Sequence, residues 1–187
     1  GRMRIVVAGA PPPTRIIERV EVELGWGFIQ IYGLTETAPL LTMNRSRAEW
    51  DDDTPAERAA RLSRAGAPAL GVSMSTSPEG ELLARTNHVL KSYWDQPDAT
   101  AEALADDWFH TGDGGVIDEA GYATITDRKK DVIISGGENV SSIEVEDTLF
   151  SHPAVAEVAV IGVPDEKWGE TIKALVVVAD GESVDER

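Results

Sequence analysis

Thr126-Asp127-Arg128-Lys129-Lys130-Asp131-Val132-Ile133-Ile134-Ser135-Gly136-Gly137-Glu138-Asn139-Val140 divides the chain into two parts of different character. It begins as the end of a strand and passes through the charged residues Asp127 to Asp131. It then re-enters an apolar run of β type, Val132-Ile133-Ile134, which Gly136-Gly137 breaks. Charged groups between two strands cannot all be buried, so they mark a boundary at the surface. Glycine takes positive φ and has no Cβ, which lets backbone approach a ligand closely. The combination predicts a hinge that carries part of a ligand site. A solvated charge run followed by an ordinary glycine turn fits the same residues.

Upstream of this boundary, Met3 to Val7 is a compact strand-type run ending in Ala8-Gly9-Ala10. Pro11-Pro12-Pro13-Thr14 then opens a helix with Ile16, Ile17, Val20 and Leu24 on one face, and Gly25 stops it. Phe28 to Tyr32 is a second strand, closed by Gly33-Leu34-Thr35-Glu36-Thr37. This spacing predicts a βαβ unit with parallel strands and a right-handed crossover. Open α/β sheets bind ligands beyond the carboxyl ends of their strands, here at Gly9 and at Tyr32 to Glu36. Two parallel strands need both faces covered and need neighbours, which the reading does not find in this sequence. The chain therefore reads as the later part of a larger protein, beginning inside a domain.

Thr54-Pro55-Ala56-Glu57 is a capping box that starts a helix running to about Arg64. Asp51-Asp52-Asp53 before it suits the positive end of the helix dipole better than a metal. Short strands are expected from Gly71 to Trp94, a brief helix from Asp98 to Leu104, and a hairpin about Asp118-Glu119-Ala120-Gly121. Trp108 to Gly115 reads as a Gly-rich turn between them, in a β-rich unit of barrel or sandwich style. Beyond the boundary, Ser142 opens a helix through Phe150, and Val155–Val163 and Thr171–Val178 are strands. The expected class is α/β and α+β. Residues 1–65 would end a parallel α/β nucleotide-binding subdomain, 66–127 form a β-rich subdomain, and 128–187 form a small mobile C-terminal α+β domain.

Composition narrows the partners. Seventeen Lys and Arg against 33 Asp and Glu give a net charge of -16, so nucleic acid or an anionic membrane surface would be repelled. Without cysteine, disulfides and thiolate chemistry are excluded. No apolar run has membrane-spanning length and Gly1-Arg2-Met3-Arg4 carries no signal-peptide core, so the expected location is cytoplasmic. Oligomeric state cannot be read from the sequence.

An aromatic face at Tyr32 can stack on a purine, backbone amides and a hydroxyl can hold a phosphate, and a carboxylate can hold Mg²⁺ against it. Asp113 is of the type that accepts from both hydroxyls of a ribose. The residues thus point to a nucleotide site shared between two domains. Three motifs go further. Tyr32-Gly33-Leu34-Thr35-Glu36-Thr37, Thr111-Gly112-Asp113, and Asp127 to Asp131 continuing through Gly136-Gly137-Glu138-Asn139-Val140 resemble, in order and spacing, core motifs of the adenylate-forming enzymes. That superfamily includes acyl-CoA synthetases, luciferases and peptide-synthetase adenylation domains. Ala8-Gly9-Ala10-Pro11 is similar to its adenine-side loop.

The resemblance implies an ATP-dependent acyl-CoA synthetase, in which a carboxylate and ATP give acyl-AMP and the acyl group then passes to coenzyme A. It implies ATP/AMP, Mg²⁺ and coenzyme A as cofactors and a small carboxylic acid as substrate. Asn139-Val140-Ser141-Ser142 looks more like fatty-acyl-CoA synthetases, which makes a fatty acid the expected acid. Gly9, Ala10, Pro11, Tyr32 and Gly33 would line the adenine side. Thr35 would contact the α-phosphate, Glu36 would hold Mg²⁺, and Asp113 with Arg128 would bind the ribose. Lys130 would be the hinge residue, and Gly136, Gly137 and Glu138 would line the path of the pantetheine arm. Alternatives are an acyl-AMP ligase serving a carrier protein, an aryl-CoA ligase, and a non-catalytic nucleotide-binding module.

Departures from the family pattern are Ser92 where Gly is usual before Tyr93-Trp94, and the lack of two segments. The family's phosphate loop would precede Gly1, and its catalytic lysine would follow Arg187; Lys167 and Lys173 stand in the wrong context to replace it. The chain alone is accordingly expected to make negligible acyl-CoA. His88, His110 and His152 are expected to be structural, and Asp113→Ala is expected to leave the melting temperature nearly unmoved.

Overall fold

A computed structural model describes residues 3–128 and 130–183. Lys129, in the predicted hinge, and the polar end of the chain from 184 lie outside the described residues.

Strand β1 (Arg4–Val7), helix α1 (Thr14–Val22) and strand β2 (Gly27–Tyr32) form the expected βαβ unit, with β1 and β2 parallel from Arg4↔Gly27 to Val7↔Gln30. The expectation that β2 lacks a neighbour in this chain is wrong. β3 (Thr42–Arg45) pairs antiparallel with it, and β4 (Ala67–Pro68) extends the sheet in the order β1-β2-β3-β4. β3 reads as polar because its inward residues are Thr42 and Asn44, both fully buried. Their side-chain donors are matched at a distance. Thr42 Oγ1 donates to Ala65 O at 2.7 Å, and Asn44 Nδ2 donates to Arg61 O and Arg64 O at 2.8 and 2.9 Å.

Those last two carbonyls lie at and just beyond the carboxyl end of helix α2 (Pro55–Leu62), where carbonyls lose their intrahelical donors. At its other end Thr54 closes the predicted capping box with Glu57. Ile17 of α1, Phe28 of β2, Ala59 and Leu62 of α2, Trp50 and Tyr122 form one core cluster beneath this sheet.

Strands β5 (Ser73–Thr76), β6 (Glu81–Arg85), β7 (Phe109–Ile117) and β8 (Ala123–Arg128) make an antiparallel meander, with the short helix α3 (Pro97–Ala103) inserted before β7. It is an open four-stranded sheet among the described residues, where turn spacing suggested a barrel or sandwich. Residues 86–94 carry no strand. A two-bond bridge, Gly66 N–H to Ala123 O and Ala123 N–H to Gly66 O, joins the meander to the first unit. Tyr32 and Leu41 from the first unit pack with Leu82, Ala84, Phe109 and Ala123 of the meander in a second core cluster.

Gly33, just after β2, has no room for a side chain: a Cβ there would lie 1.6 Å from the backbone oxygen of Pro39. Gly33→Ala is therefore expected to displace the loop that positions Thr35 and Glu36 and to cost roughly 1–3 kcal/mol. Thermal or denaturant unfolding measures this, and an unchanged midpoint would refute it.

The third sheet has the order β10-β9-β12-β11. β9 (Ile133–Ser135) and β10 (Glu138–Val140) form a hairpin whose two-residue loop is Gly136-Gly137, with φ of +61° and +86°. A loop with positive φ at both positions suits the twist of paired strands. Locally, then, the Gly-Gly step is a hairpin turn. Helix α4 (Ser142–Phe150) packs on the long hairpin of β11 (Val155–Asp165) and β12 (Gly169–Val178). Glu146 stands on the inner face of α4 because its carboxylate accepts the Val160 N–H at 2.8 Å.

Two sets of bonds tie this last unit to the rest. Buried Asp127 accepts the N–H and hydroxyl of Ser142 at 2.9 Å each, and Ser141 Oγ donates to Thr126 O. Separately, Asp147 accepts the N–H and hydroxyl of Thr14 at 2.9 and 3.0 Å, and Arg15 donates to Phe150 O and His152 O. Among the described residues no helix is long and apolar enough to cross a membrane.

Candidate functional site

The carboxyl end of β2 runs into a single 3₁₀ turn, Thr35–Thr37, built around buried Thr37. Thr37 Oγ1 accepts the Leu34 N–H at 2.9 Å while the Thr37 N–H donates to Leu34 O at 3.0 Å. This closed ring leaves Thr35 exposed and Glu36 half-buried at the end of the sheet. Opposite stands Asp113, which lies within β7 and not in a turn as its glycine-rich setting suggested. It is paired across the ladder with Arg128 at the end of β8.

Asp113 is 6% exposed and its carboxylate is held from two sides. Tyr32 Oη donates to Oδ2 at 2.8 Å, and Arg128 Nε lies 3.6 Å from Oδ1. Burial raises the pKa of this carboxyl, against the hydrogen bond from Tyr32 and the charge of Arg128. Burial and the neighbouring Asp113 charge raise the Tyr32 phenol, which keeps it a donor. The Tyr32 ring sits 9% exposed among core residues, so at this end of the sheet it acts first as a strut beneath Asp113.

Gly9, Gly33, Thr35, Glu36, Asp113, Arg128 and Lys130 line one cleft of about 910 Å³. Seven expected site residues, scattered over more than a hundred positions, are thus brought together. Ala10, Pro11, Tyr32, Gly136, Gly137 and Glu138 do not line it. The last three are exposed on the β9–β10 hairpin.

Sequence reasoning missed the acidic wall formed by Glu79, Glu81 and Glu102, and it took His110, which also faces the cleft, as structural only. Glu81 is buried; Oε2 pairs with His110 Nδ1 at 3.0 Å and Oε1 accepts the Gly112 N–H at 2.9 Å. It therefore fixes the backbone just before Asp113. The signal available was Gly80-Glu81 at the start of a strand, a buried carboxylate needing donors that local spacing does not reveal.

The donor set suits a nucleotide. A desolvated carboxylate with a flanking guanidinium can accept from a ribose diol, and an exposed threonine hydroxyl can meet a phosphate. With Glu36, Glu79, Glu81, Glu102 and Asp113 facing Arg128 and Lys130, carboxylates outnumber cations, so a polyphosphate would enter best with a divalent cation. Among the described residues no three His, Cys, Asp or Glu are grouped to hold a metal by themselves. A Mg²⁺ held by Glu36 together with substrate phosphates fits that arrangement.

Comparison with known proteins gives a consistent picture. A family model described as AMP-binding enzyme matches residues 1–94, and one described as AMP-binding enzyme C-terminal domain matches residues 144–187. A feruloyl-CoA synthase from an Amycolatopsis species is 40% identical over 192 residues, which cover 97% of this chain and 37% of the relative. A 2-methylpropanoate–CoA ligase from Humulus lupulus is 43% identical over 194 residues, covering 96% and 35%. Among solved structures, o-succinylbenzoate CoA synthetase from Bacillus subtilis with its acyl-adenylate intermediate is similar at a TM-score of 0.80 and 33% identity, covering 96% of this chain and 37% of that one. The amide bond synthetase McbA from Marinactinospora thermotolerans gives 0.82 and 34%, covering 97% and 37%. The chain spans little more than a third of the length of the relatives it matches.

Proposed function

Because the chain belongs to the AMP-binding enzyme family, we propose that it supplies the ribose- and phosphate-facing part of an enzyme that activates a carboxylic acid with ATP and passes the acyl group to coenzyme A. The observation that carries this reading is the convergence of Thr35, Glu36, Asp113, Arg128 and Lys130 on one cleft, at the ends of β2 and β8 and the middle of β7.

In the first step a carboxylate oxygen attacks the α-phosphorus of ATP, the bond to the bridging oxygen breaks, and pyrophosphate leaves with acyl-AMP formed. Asp113 accepts from the ribose hydroxyls, and Arg128 offsets the charge that Asp113 brings. Thr35 Oγ donates to an α-phosphate oxygen as charge builds there. Glu36 would hold Mg²⁺, which neutralises the polyphosphate when bound. Gly9, Ala10 and Pro11 bound the adenine side at the end of β1, and the Tyr32 edge and Gly33 close it beneath.

In the second step the thiol sulfur of coenzyme A attacks the acyl carbon, AMP leaves, and the thiol proton is lost to solvent. The part of the small domain beyond Lys130 would move as a unit about that residue between the two steps, bringing the Gly136-Gly137-Glu138 hairpin against the pantetheine arm while Arg128 keeps its place beside Asp113. Residues 1–65 and 66–127 would form the static partner.

For the acid, the resemblance at Asn139 to Ser142 supports a fatty acid, while the relatives bear the names of ferulate and 2-methylpropanoate. ATP–pyrophosphate exchange in a full-length protein carrying this sequence, run across fatty, short branched and aryl acids, tests the adenylation and ranks the acids together. No acid-dependent exchange with any of them would overturn the reading. Thioester formation, set against amide formation from an added amine, then identifies the acceptor.

A further inference from the structure

Three bonds from one segment, residues 88–93, converge on the turn that presents Glu36. His88 Nδ1 lies 2.6 Å from Thr37 O, which requires the tautomer with a proton on Nδ1. The Leu90 N–H donates to Glu36 O at 2.7 Å, and Tyr93 Oη donates to Glu36 Oε1 at 3.0 Å. The first two fix the backbone, and the third fixes the carboxylate itself. Tyr93 is in turn anchored, because its N–H donates to Thr100 Oγ1 at 3.0 Å, and Thr100 Oγ1 donates to Gln96 O at 2.7 Å at the start of α3.

We propose that Tyr93 is a positioning residue for Glu36, holding one carboxylate oxygen so that the other is presented to a phosphate-bound divalent cation; this rests on the adenylating role proposed above. A half-buried glutamate on a three-residue turn has several side-chain rotamers to lose before it can meet a cation. Tyrosine is well suited to remove that freedom, because its ring turns about only two bonds and delivers a donor at a set distance. A tyrosine phenol is protonated at neutral pH, so Tyr93 Oη is the donor in this bond. Because Tyr93 gives its proton to Oε1, Oε2 keeps its lone pairs for the cation.

Tyr93→Phe removes the hydroxyl and keeps the ring. In a full-length protein carrying this sequence, the Mg²⁺ concentration giving half-maximal ATP–pyrophosphate exchange should rise about tenfold, the scale of one hydrogen bond to a charged group. Calorimetric titration of ATP into the resting protein should show the same shift in Mg²⁺ dependence, without turnover. The half-saturating coenzyme A concentration for transfer from preformed acyl-AMP should not move.

A fall in melting temperature with unchanged Mg²⁺ dependence would make Tyr93 a packing residue and overturn the proposal. Glu36→Gln separates the two levels of argument. If Glu36→Gln weakens Mg²⁺-dependent ATP binding and Tyr93→Phe does not, positioning fails while the reading of Glu36 stands. If Glu36→Gln has no effect on it either, the reading of Glu36 fails as well. In the Glu36→Gln background Tyr93→Phe should add nothing, since the two act as one unit.

Discussion

Lys130→Pro is expected to leave acyl-AMP formation close to its starting rate and to cut transfer to coenzyme A by orders of magnitude. Lys130 is exposed in the turn that follows β8, where the N–H groups of Asp131 and Val132 both donate to Arg128 O. A change of domain orientation has to be absorbed as large φ/ψ shifts at very few residues. Proline fixes φ near −65° and disfavours the α region at the residue before it, so one of the two orientations becomes unreachable.

A movement of the last unit about Lys130 would have to break the bonds that hold it in the described arrangement. Asp127–Ser142 and Ser141–Thr126 close a loop around the turn, and Thr14–Asp147 and Arg15–His152 pin the far side. Pyrophosphate release and thioester formation from preformed acyl-AMP, measured separately, decide the matter. Equal losses in the two half-reactions would reject a hinge at Lys130.

The second large effect is expected at Asp113. Two hydrogen bonds from ribose hydroxyls to a carboxylate are worth roughly 1.5–3 kcal/mol each, so Asp113→Ala should weaken nucleotide binding by about two to four orders of magnitude. The sequence suggested that stability would barely move; the structure corrects this. Asp113 accepts the buried Tyr32 hydroxyl, and removing that acceptor costs about 1–3 kcal/mol more. A lower melting temperature is therefore expected alongside the lost affinity. Asp113→Asn retains an acceptor for Tyr32 but lacks the charge, so it should recover much of the stability and little of the binding. Equal nucleotide affinity in Asp113→Asn and the parent would make Asp113 a structural residue only.

Local patterns in the sequence revealed the elements whose signals are themselves local. The βαβ start, the Thr54–Glu57 capping box and α4 are each written in residues a few positions apart, and all stand within two residues of expectation. β3 was illegible because the side-chain donors of its buried Thr42 and Asn44 are satisfied by carbonyls 17 to 23 residues away. Asp113 was assigned to a turn because three glycines surround it, whereas in β7 Gly114 and Gly115 make room for tight strand packing and Gly112 takes a positive φ of +74°.

The same limit governed the site. Motif order indicated which residues would converge, and the cleft contains seven of them. Supports such as Glu81 for Gly112 and Tyr93 for Glu36 span 31 and 57 residues, and no periodicity encodes them.

Helix α1 has one further property. Pro13 stands at its cap position and offers no side-chain acceptor, so its first amide is satisfied by Asp147 across the boundary between units. If the last unit moves as proposed, solvent exchange of a single amide proton, that of Thr14, would be coupled to that movement. Protection at that one site would then report the docked state in solution. Its slowing or quickening on addition of nucleotide or coenzyme A would count the two populations without any label attached to the protein.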